Sequence, residues 1–380
     1  MNKITVGIVG LRFGGEFPAI YRDHPNVERV ILCDKNSELL DRYSKKFKYD
    51  CAVDNFDELL KMGADAIHIV TDLGSHYDLT MKSLKSGHHT ACTVPMAMTC
   101  KELENIVNAQ RASGKNYMMM ETSVYTYQCL YVKELIDSGR LGNIQFMLGT
   151  HYQDDEGWPD YWKGLPPMKY GTHAISPMLF LSESKTVEVH AYGSGRMREE
   201  LVQKYGNPYP VETAIFKLSR DGLSASATRS LFETAREYVE GFTIFGDKMS
   251  FEWTMENEPA IEFEFIDPVP EPNAKLTYAG RKMTAKRAAC PDYADRLPES
   301  IRKYTKEHTI LDPDNPHQSI KQGGGHHGSH PHLVNEFVTS IIEERAPLID
   351  AETAANWTAS GICAHESAMN NGATVKIPVF

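Results

Sequence analysis

The stretch ITVGIVGLRFGGEFPAIYRDHPNVERVILCD, residues 4–34, decides the fold. Ile4–Val9 is a short apolar run rich in β-branched residues, which suit a buried strand. It breaks at Gly10 into a glycine-punctuated turn, and Glu16 to Arg22 is compatible with a helix. Val27–Cys33 supplies a second apolar strand that closes at Asp34. Strand, tight turn, helix and strand make a βαβ unit of ordinary length. Such a turn offers backbone N–H groups at a helix N-terminus, so a dinucleotide pyrophosphate is the expected guest. Asp34 is then placed to accept from the ribose hydroxyls, and its charge repels a 2′-phosphate, which favours NAD over NADP.

The turn departs from G-x-G-x-x-G at its centre. Gly10 and Gly15 fill the outer positions, with Leu11, Arg12 and Phe13 between them, and Arg12 stands where the second glycine admits the pyrophosphate. A tight turn without a ligand is the plainer reading. The strand before, the helix after and the acid beyond carry the cofactor reading.

At 380 residues the chain exceeds one ordinary core, and two domains are expected. A formal net charge of -11, with scattered lysines and arginines, leaves no basic stripe for nucleic acid. No run approaches the roughly 18 apolar residues of a membrane span. The first strand begins too close to Met1 for a signal peptide to precede it. Seven cysteines without a C-x-x-C pair suit reduced thiols, so a cytoplasmic protein is expected.

Strands and helices alternate as far as Glu121, which implies a doubly wound parallel sheet over residues 1–122. Ligand groups gather at the carboxyl ends of such strands: the glycine turn, Asp34, Thr71, Leu73 and His76, Val94 and Pro95, and Glu121. After a linking helix from Tyr125 to Asp137 the pattern changes to strand-like runs with period-two alternation, and Asp221-Gly222 and Gly246-Asp247 read as hairpin turns. Residues 123–380 are therefore expected to form an α+β domain with a large open, mainly antiparallel sheet. An open sheet of this breadth commonly buries its outer face in a homo-oligomer, a dimer or tetramer. A proline- and charge-rich stretch, about 267–325, reads as an inserted lid or arm, and two helices and a final strand VKIPV close the chain.

DAIHIVTDLGSHYDLTMKSLKSGHHTACTVPMAMT, residues 65–99, resembles the T-P-x-x-x-H and E-K-P blocks of the Gfo/Idh/MocA family of sugar and cyclitol oxidoreductases. MKYGTHAISP, residues 168–177, resembles its D-x-G-x-H-x-x-D block. The likeness covers the whole chain and places His76, His173 and Pro95 on the family's matching positions. Three positions depart from it. Val94 stands for the catalytic lysine, Lys169 for the aspartate before the histidine and Ser176 for the last aspartate. The combination of Val94-Pro95, the M-M-M run before Glu121, and Thr172-His173 is similar to a branch that cleaves glycosides with a retained NAD, the α-N-acetylgalactosaminidase type. His151 stands where that branch has a tyrosine.

The resemblance implies oxidation of a sugar at carbon 3, which makes the carbon 2 proton acidic, followed by elimination of the aglycone, water addition and re-reduction. Proton transfer and enolate stabilisation then fall to His173, Lys169, Glu121, His151 and Tyr152. Strand alternation turns only one of His151 and Tyr152 toward the cleft, and Glu121 reads equally as a helix cap. GWPDYWKGLPPMKYG, residues 157–171, brings Trp158, Tyr161, Trp162 and Tyr170 beside Asp154 and Asp155, a composition suited to a sugar's apolar face and hydroxyls. GGGHHGSHPH, residues 323–332, presents His326, His327, His330 and His332; substrate contact is expected of the first three, and no metal. A net NAD-dependent sugar or cyclitol dehydrogenase is the second reading, and a non-catalytic NAD- and sugar-binding protein the third.

Overall fold

A computed structural model of the chain describes residues 3–47, 49, 51–275, 280–310 and 320–380. Two parts of the expected insertion, 276–279 and 311–319, lie outside those described residues. The chain divides into two compact units, Met1–Tyr127 with Asp292–Ala359 and Pro378–Phe380, and Gln128–Pro291 with Ser360–Ile377.

The first unit holds β1 (Ile4–Val9), β2 (Val27–Cys33), β3 (Ala52–Val53), β4 (Ala66–Ile69), β5 (His89–Cys92) and β6 (Tyr117–Met119). They form one parallel sheet in the order β3-β2-β1-β4-β5-β6. The order reverses between β1 and β4, the switch point outside which ligands bind in such sheets. The helices are α1 (Pro18–Asp23), α2 (Ser37–Phe47), α3 (Phe56–Leu59), α4 (His76–Lys85) and α5 (Cys100–Ser113). Thr99 opens α5 with a capping box to Glu102, and left-handed Gly114 (φ 65°) ends it.

The sequence predicts one boundary near residue 122; the structure shows the chain returning to the first unit at Asp292. The reason is apolar: Leu333, Val334, Phe337 and Val338 of the returning helix are buried. The Ile349 carbonyl also accepts from the Met119 N–H at the end of β6 (3.1 Å).

In the second unit, α6 (Tyr127–Asp137) leads into β7 (Ile144–Tyr152), α7 (Thr172–Ser182), β8 (Thr186–Ser194) and α8 (Glu199–Tyr205). Then come β9 (Val211–Leu218), β10 (Ser224–Ser230), β11 (Val239–Gly246), β12 (Met249–Trp253), β13 (Ile261–Phe265) and β14 (Met283–Arg287). The hairpin β15 (His308–Ile310) and β16 (Ile320–Gln322) and helix α9 (Gly325–Ile342) belong to the first unit, and α10 (Ala351–Met369) and β17 (Val375–Lys376) close the chain. Nine strands pair in the order β14-β13-β12-β11-β7-β10-β9-β8-β17. As expected the sheet is mainly antiparallel; β10 pairs parallel to β7. Between those two strands the chain runs through α7, β8 and β9, so β10 re-enters beside β7 in the same direction.

α7 lies on one face of this sheet. A Cβ on Gly149 of β7 would stand 1.8 Å from the Ala174 carbonyl oxygen, so glycine is what lets the helix backbone reach the strand. Among the described residues no helix is long and apolar enough to cross a membrane.

Candidate active site

In the first unit the chain leaves β1 at Gly10, whose φ is 89° and whose added Cβ would sit 2.1 Å from the Val70 carbonyl oxygen. A Cβ on Gly15 would meet the Tyr43 hydroxyl at 1.9 Å. Only glycine fits either position. Leu11 is buried and contributes its backbone to the turn, while Arg12 and Phe13 are exposed. Asp34 accepts from the Leu11 N–H through Oδ2 (2.6 Å) and from the Asn36 N–H through Oδ1 (2.8 Å). A turn pinned by obligatory glycines at a strand's carboxyl end, braced by an acid at the next strand's end, suits a dinucleotide. Asp34→Ala is expected to relax the preference for NAD over NADP and to loosen the turn, since the Leu11 N–H loses its acceptor. Titration with both nucleotides checks this; wild-type protein that binds them equally would overturn the role given to Asp34.

His76 begins α4, fully buried. Nδ1 donates to the Pro95 carbonyl (2.8 Å), and Nε2 lies 3.2 Å from the Thr71 carbonyl. Burial holds its pKa below the usual histidine range, so the neutral ring ties the tips of β4 and β5 together. Leu73 and Val94 are both buried, and the Val94–Pro95 peptide is cis. Glu121 is buried with Oε1 accepting from the Ser123 N–H (3.0 Å) and hydroxyl (2.8 Å), the cap geometry of its two readings.

Of the 323–332 histidines, His326 and His330 lie against the glycine turn of the same unit. His326 and His330 meet the Phe13 ring edge-on at 6.0 and 5.7 Å, and His330 also packs on Phe17. His327 bonds the Tyr127 hydroxyl through Nδ1 (2.9 Å), and His332 stacks on Tyr125. His330 is 2% exposed, which places it in an aromatic packing site rather than on a surface free for substrate. Among the described residues these four imidazoles do not form a group of three metal donors.

The second unit carries a row of buried ionisable side chains that the alternation pattern conceals. Arg229 of β10 pairs with Glu212 of β9 on one side and with His151 of β7 on the other, and His151 pairs with Glu240 of β11. All four face the α7 side and are at most 2% exposed. His173, on the first turn of α7, meets this row: its ring centroid is 5.0 Å from that of His151, and Nε2 lies 3.9 Å from Glu240 Oε1. Tyr170, from the 3-10 turn Pro167–Tyr170, places its hydroxyl 3.3 Å from His173 Nε2. Tyr238 donates its hydroxyl to Glu240 Oε1; burial, reinforced by the adjacent carboxylate, pushes its pKa far up, so the phenol stays protonated. Arg229 spends its donors on backbone and amide, Nε to the Tyr170 carbonyl, Nη1 to those of His151 and Ser230, and Nη2 to Gln153 Oε1.

The aromatic loop joins this row. Trp162 packs on Tyr170 (4.7 Å) and half-exposed Trp158 on Trp162 (5.5 Å). Asp154 is exposed and Asp155 buried. Lys169 is half-buried, and among the described residues no carboxylate pairs with it. Tyr152 is corrected: alternation turns it to the face opposite His151, under the Arg236 guanidinium (5.6 Å). Glu212, Arg229, Glu240 and Tyr238 escaped the sequence reading. Their signal was an ionisable residue at an inward position of an otherwise alternating strand.

Neither Asp155 carboxyl oxygen has a hydrogen-bond partner among the described residues. Burial pushes this acid up to about 7, against the pull of Arg229 and with a push from Asp154. A raised carboxyl pKa means the folded protein holds a proton that the unfolded chain releases. Between roughly pH 4 and pH 7, Asp155 should therefore lower stability as pH rises, by at most about 1.4 kcal/mol per pH unit. Denaturant midpoints measured across that range should lose this slope in Asp155→Asn.

Residues 4–121 match the model of the oxidoreductase family with an NAD-binding Rossmann fold, and residues 129–252 match the Gfo/Idh/MocA C-terminal domain. Glycosyl hydrolase family 109 protein 1 of Bacteroides thetaiotaomicron is 22% identical over all of this chain and 85% of its own. The protein of that name from Phocaeicola vulgatus is 24% identical over 47% of this chain, which spans only 42% of that relative. The solved levoglucosan dehydrogenase, in complex with NADH and levoglucosan, has the same fold, with a TM-score of 0.76, 17% identity and coverage of 99% of this chain and 100% of its own.

Proposed function

Because the chain belongs to the Gfo/Idh/MocA family and carries its NAD-binding Rossmann domain, we propose that this NAD-dependent enzyme cleaves a glycoside by transient oxidation of the sugar at carbon 3, elimination, water addition and re-reduction. The observation that carries the reading is the cluster of half-buried Tyr170 with buried His173 and Glu240 beside His151, in a protein with Val94 where the family resemblance calls for lysine. The relatives named for glycoside hydrolysis support it. The glycine turn and Asp34 would hold NAD, which would supply the acceptor and donor for the carbon 3 hydride.

The remaining work falls to side chains. The hydrogen-bonded Tyr170–His173 pair, facing a carboxylate, is the unit that moves the carbon 2 proton. Glu240 steadies the charge His173 gains, and Tyr238 fixes Glu240 by its hydrogen bond. Lys169, three residues before Thr172 and without a carboxylate partner among the described residues, is assigned to the enolate oxygen. Half-exposed Trp158, backed by buried Trp162, offers a ring face to the sugar, and exposed Asp154 an acceptor for its hydroxyls.

The outer face of the nine-stranded sheet exposes Tyr192 and Ile215, at 63% and 54%, which supports a homo-oligomer formed through it. Seven free thiols support a reducing, cytoplasmic setting.

The test is an assay of aryl glycosides and free sugars in heavy water, following aglycone release and NADH absorbance together. The reading expects aglycone without net NADH and a product sugar carrying deuterium at carbon 2. NADH formed in step with product would make the enzyme a dehydrogenase, and cleavage without deuterium would remove the elimination route.

A further inference from the structure

His151, His173 and Glu240 come from three elements, β7, α7 and β11, yet their donor atoms all lie within 4.8 Å of one another. Strand pairing sets His151 directly beside Glu240, and the close approach of α7 at Gly149 delivers His173 over both. Two imidazoles and one carboxylate form the donor set of open zinc sites, in which a further position takes water or substrate. Zinc bonds of about 2.0–2.2 Å require donors roughly 3–4 Å apart, and the His173 to Glu240 pair already stands at 3.9 Å. The three residues are each at most 4% exposed, so an ion there would be shielded from bulk water on its protein side. Tyr238, donating to Glu240 Oε1, supplies the outer hydrogen bond that orients a ligating carboxylate. The Arg229 cation, which attracts Glu240 through space, directs its hydrogen bonds to the carbonyls of Tyr170, His151 and Ser230 and to Gln153.

We infer that His151, His173 and Glu240 form a binding site for one zinc-type divalent ion, with a coordination position left for a sugar oxygen. Occupancy of the site stands independently of the glycoside-cleaving reading; its chemical task rests on that reading. In that task the ion stabilises negative charge on the substrate oxygen. With His173 engaged as a ligand, proton transfer falls to the Tyr170 phenol beside it.

The experiment uses the full chain, stripped with EDTA and titrated calorimetrically with Zn²⁺, with Co²⁺ as a spectroscopic substitute. One Zn²⁺ per chain and the visible absorption of low-coordinate Co²⁺ are expected. His173→Ala and Glu240→Gln should weaken binding by at least about 100-fold, more than loss of an outer-shell partner costs, with thermal unfolding confirming that each variant folds. Glu240→Gln preserves shape and hydrogen bonding, so its result stands even if the histidine variant does not fold. His326→Ala should leave binding unchanged. Wild-type protein that takes up no Zn²⁺ overturns the site, as does binding that survives in Glu240→Gln or is lost in His326→Ala. Zinc bound without glycoside cleavage removes the functional reading and keeps the site; cleavage by a protein that binds no zinc does the reverse.

Discussion

His173→Ala is expected to cut turnover by roughly 10²–10⁴-fold, the range for losing a positioned acid–base group, while NAD affinity stays near wild type. His173 is 4% exposed on the first turn of α7, held between the Tyr170 hydroxyl at 3.3 Å and Glu240 at 3.9 Å. Whether its Nε2 moves a proton or ligates an ion, alanine removes the group that faces both partners. The turn and Asp34 proposed to hold NAD belong to the other unit, so a change confined to α7 leaves their hydrogen bonds in place. Tyr170→Phe should also be slow, and the double variant should fall well short of the product of the two losses, because residues acting as a unit are not additive. Initial rates at saturating NAD, with a parallel NAD titration, decide it. A His173→Ala enzyme of near wild-type rate would exclude His173 from the chemistry.

Arg229→Met is expected to destabilise the fold by about 3–5 kcal/mol, the cost of removing one partner from a buried charge assembly. The guanidinium is fully buried, and the attraction of Asp155 and Glu240 partly offsets a burial penalty that brings its pKa down to about 10. Methionine fills much of the volume but donates nothing. The carbonyls of Tyr170, His151 and Ser230 lose their side-chain donor, and Asp155 and Glu240 lose the nearest compensating charge. Because the Tyr170 carbonyl anchors the turn before His173, activity should fall along with stability. Urea unfolding at neutral pH measures the loss; a midpoint unchanged from wild type would show that Arg229 is dispensable to this row. With Arg229 gone, Asp155 should titrate still higher, so the pH-dependent loss of stability should extend above pH 7.

The sequence by itself determined the elements, because their signals are local. Ile4–Val9, Gly10 and Val27–Asp34 announce a βαβ unit through periodicity and glycine placement, and the runs that become β7 to β13 show their alternation within each strand. His173 was legible through the motif around it, and Trp158, Trp162 and Tyr170 through their crowding in one loop. Tertiary structure alone decided which distant residues share a face. Glu212, Arg229, His151 and Glu240 stand in one row because the strands pair as β9-β10-β7-β11, an order different from their order along the chain. The parallel pairing of β10 with β7 and the return of the chain at Asp292 have the same origin. Periodicity tells a strand which side to bury, but its neighbours are chosen by the burial of many side chains at once, so convergence of those four side chains against α7 is a property of the assembled sheet.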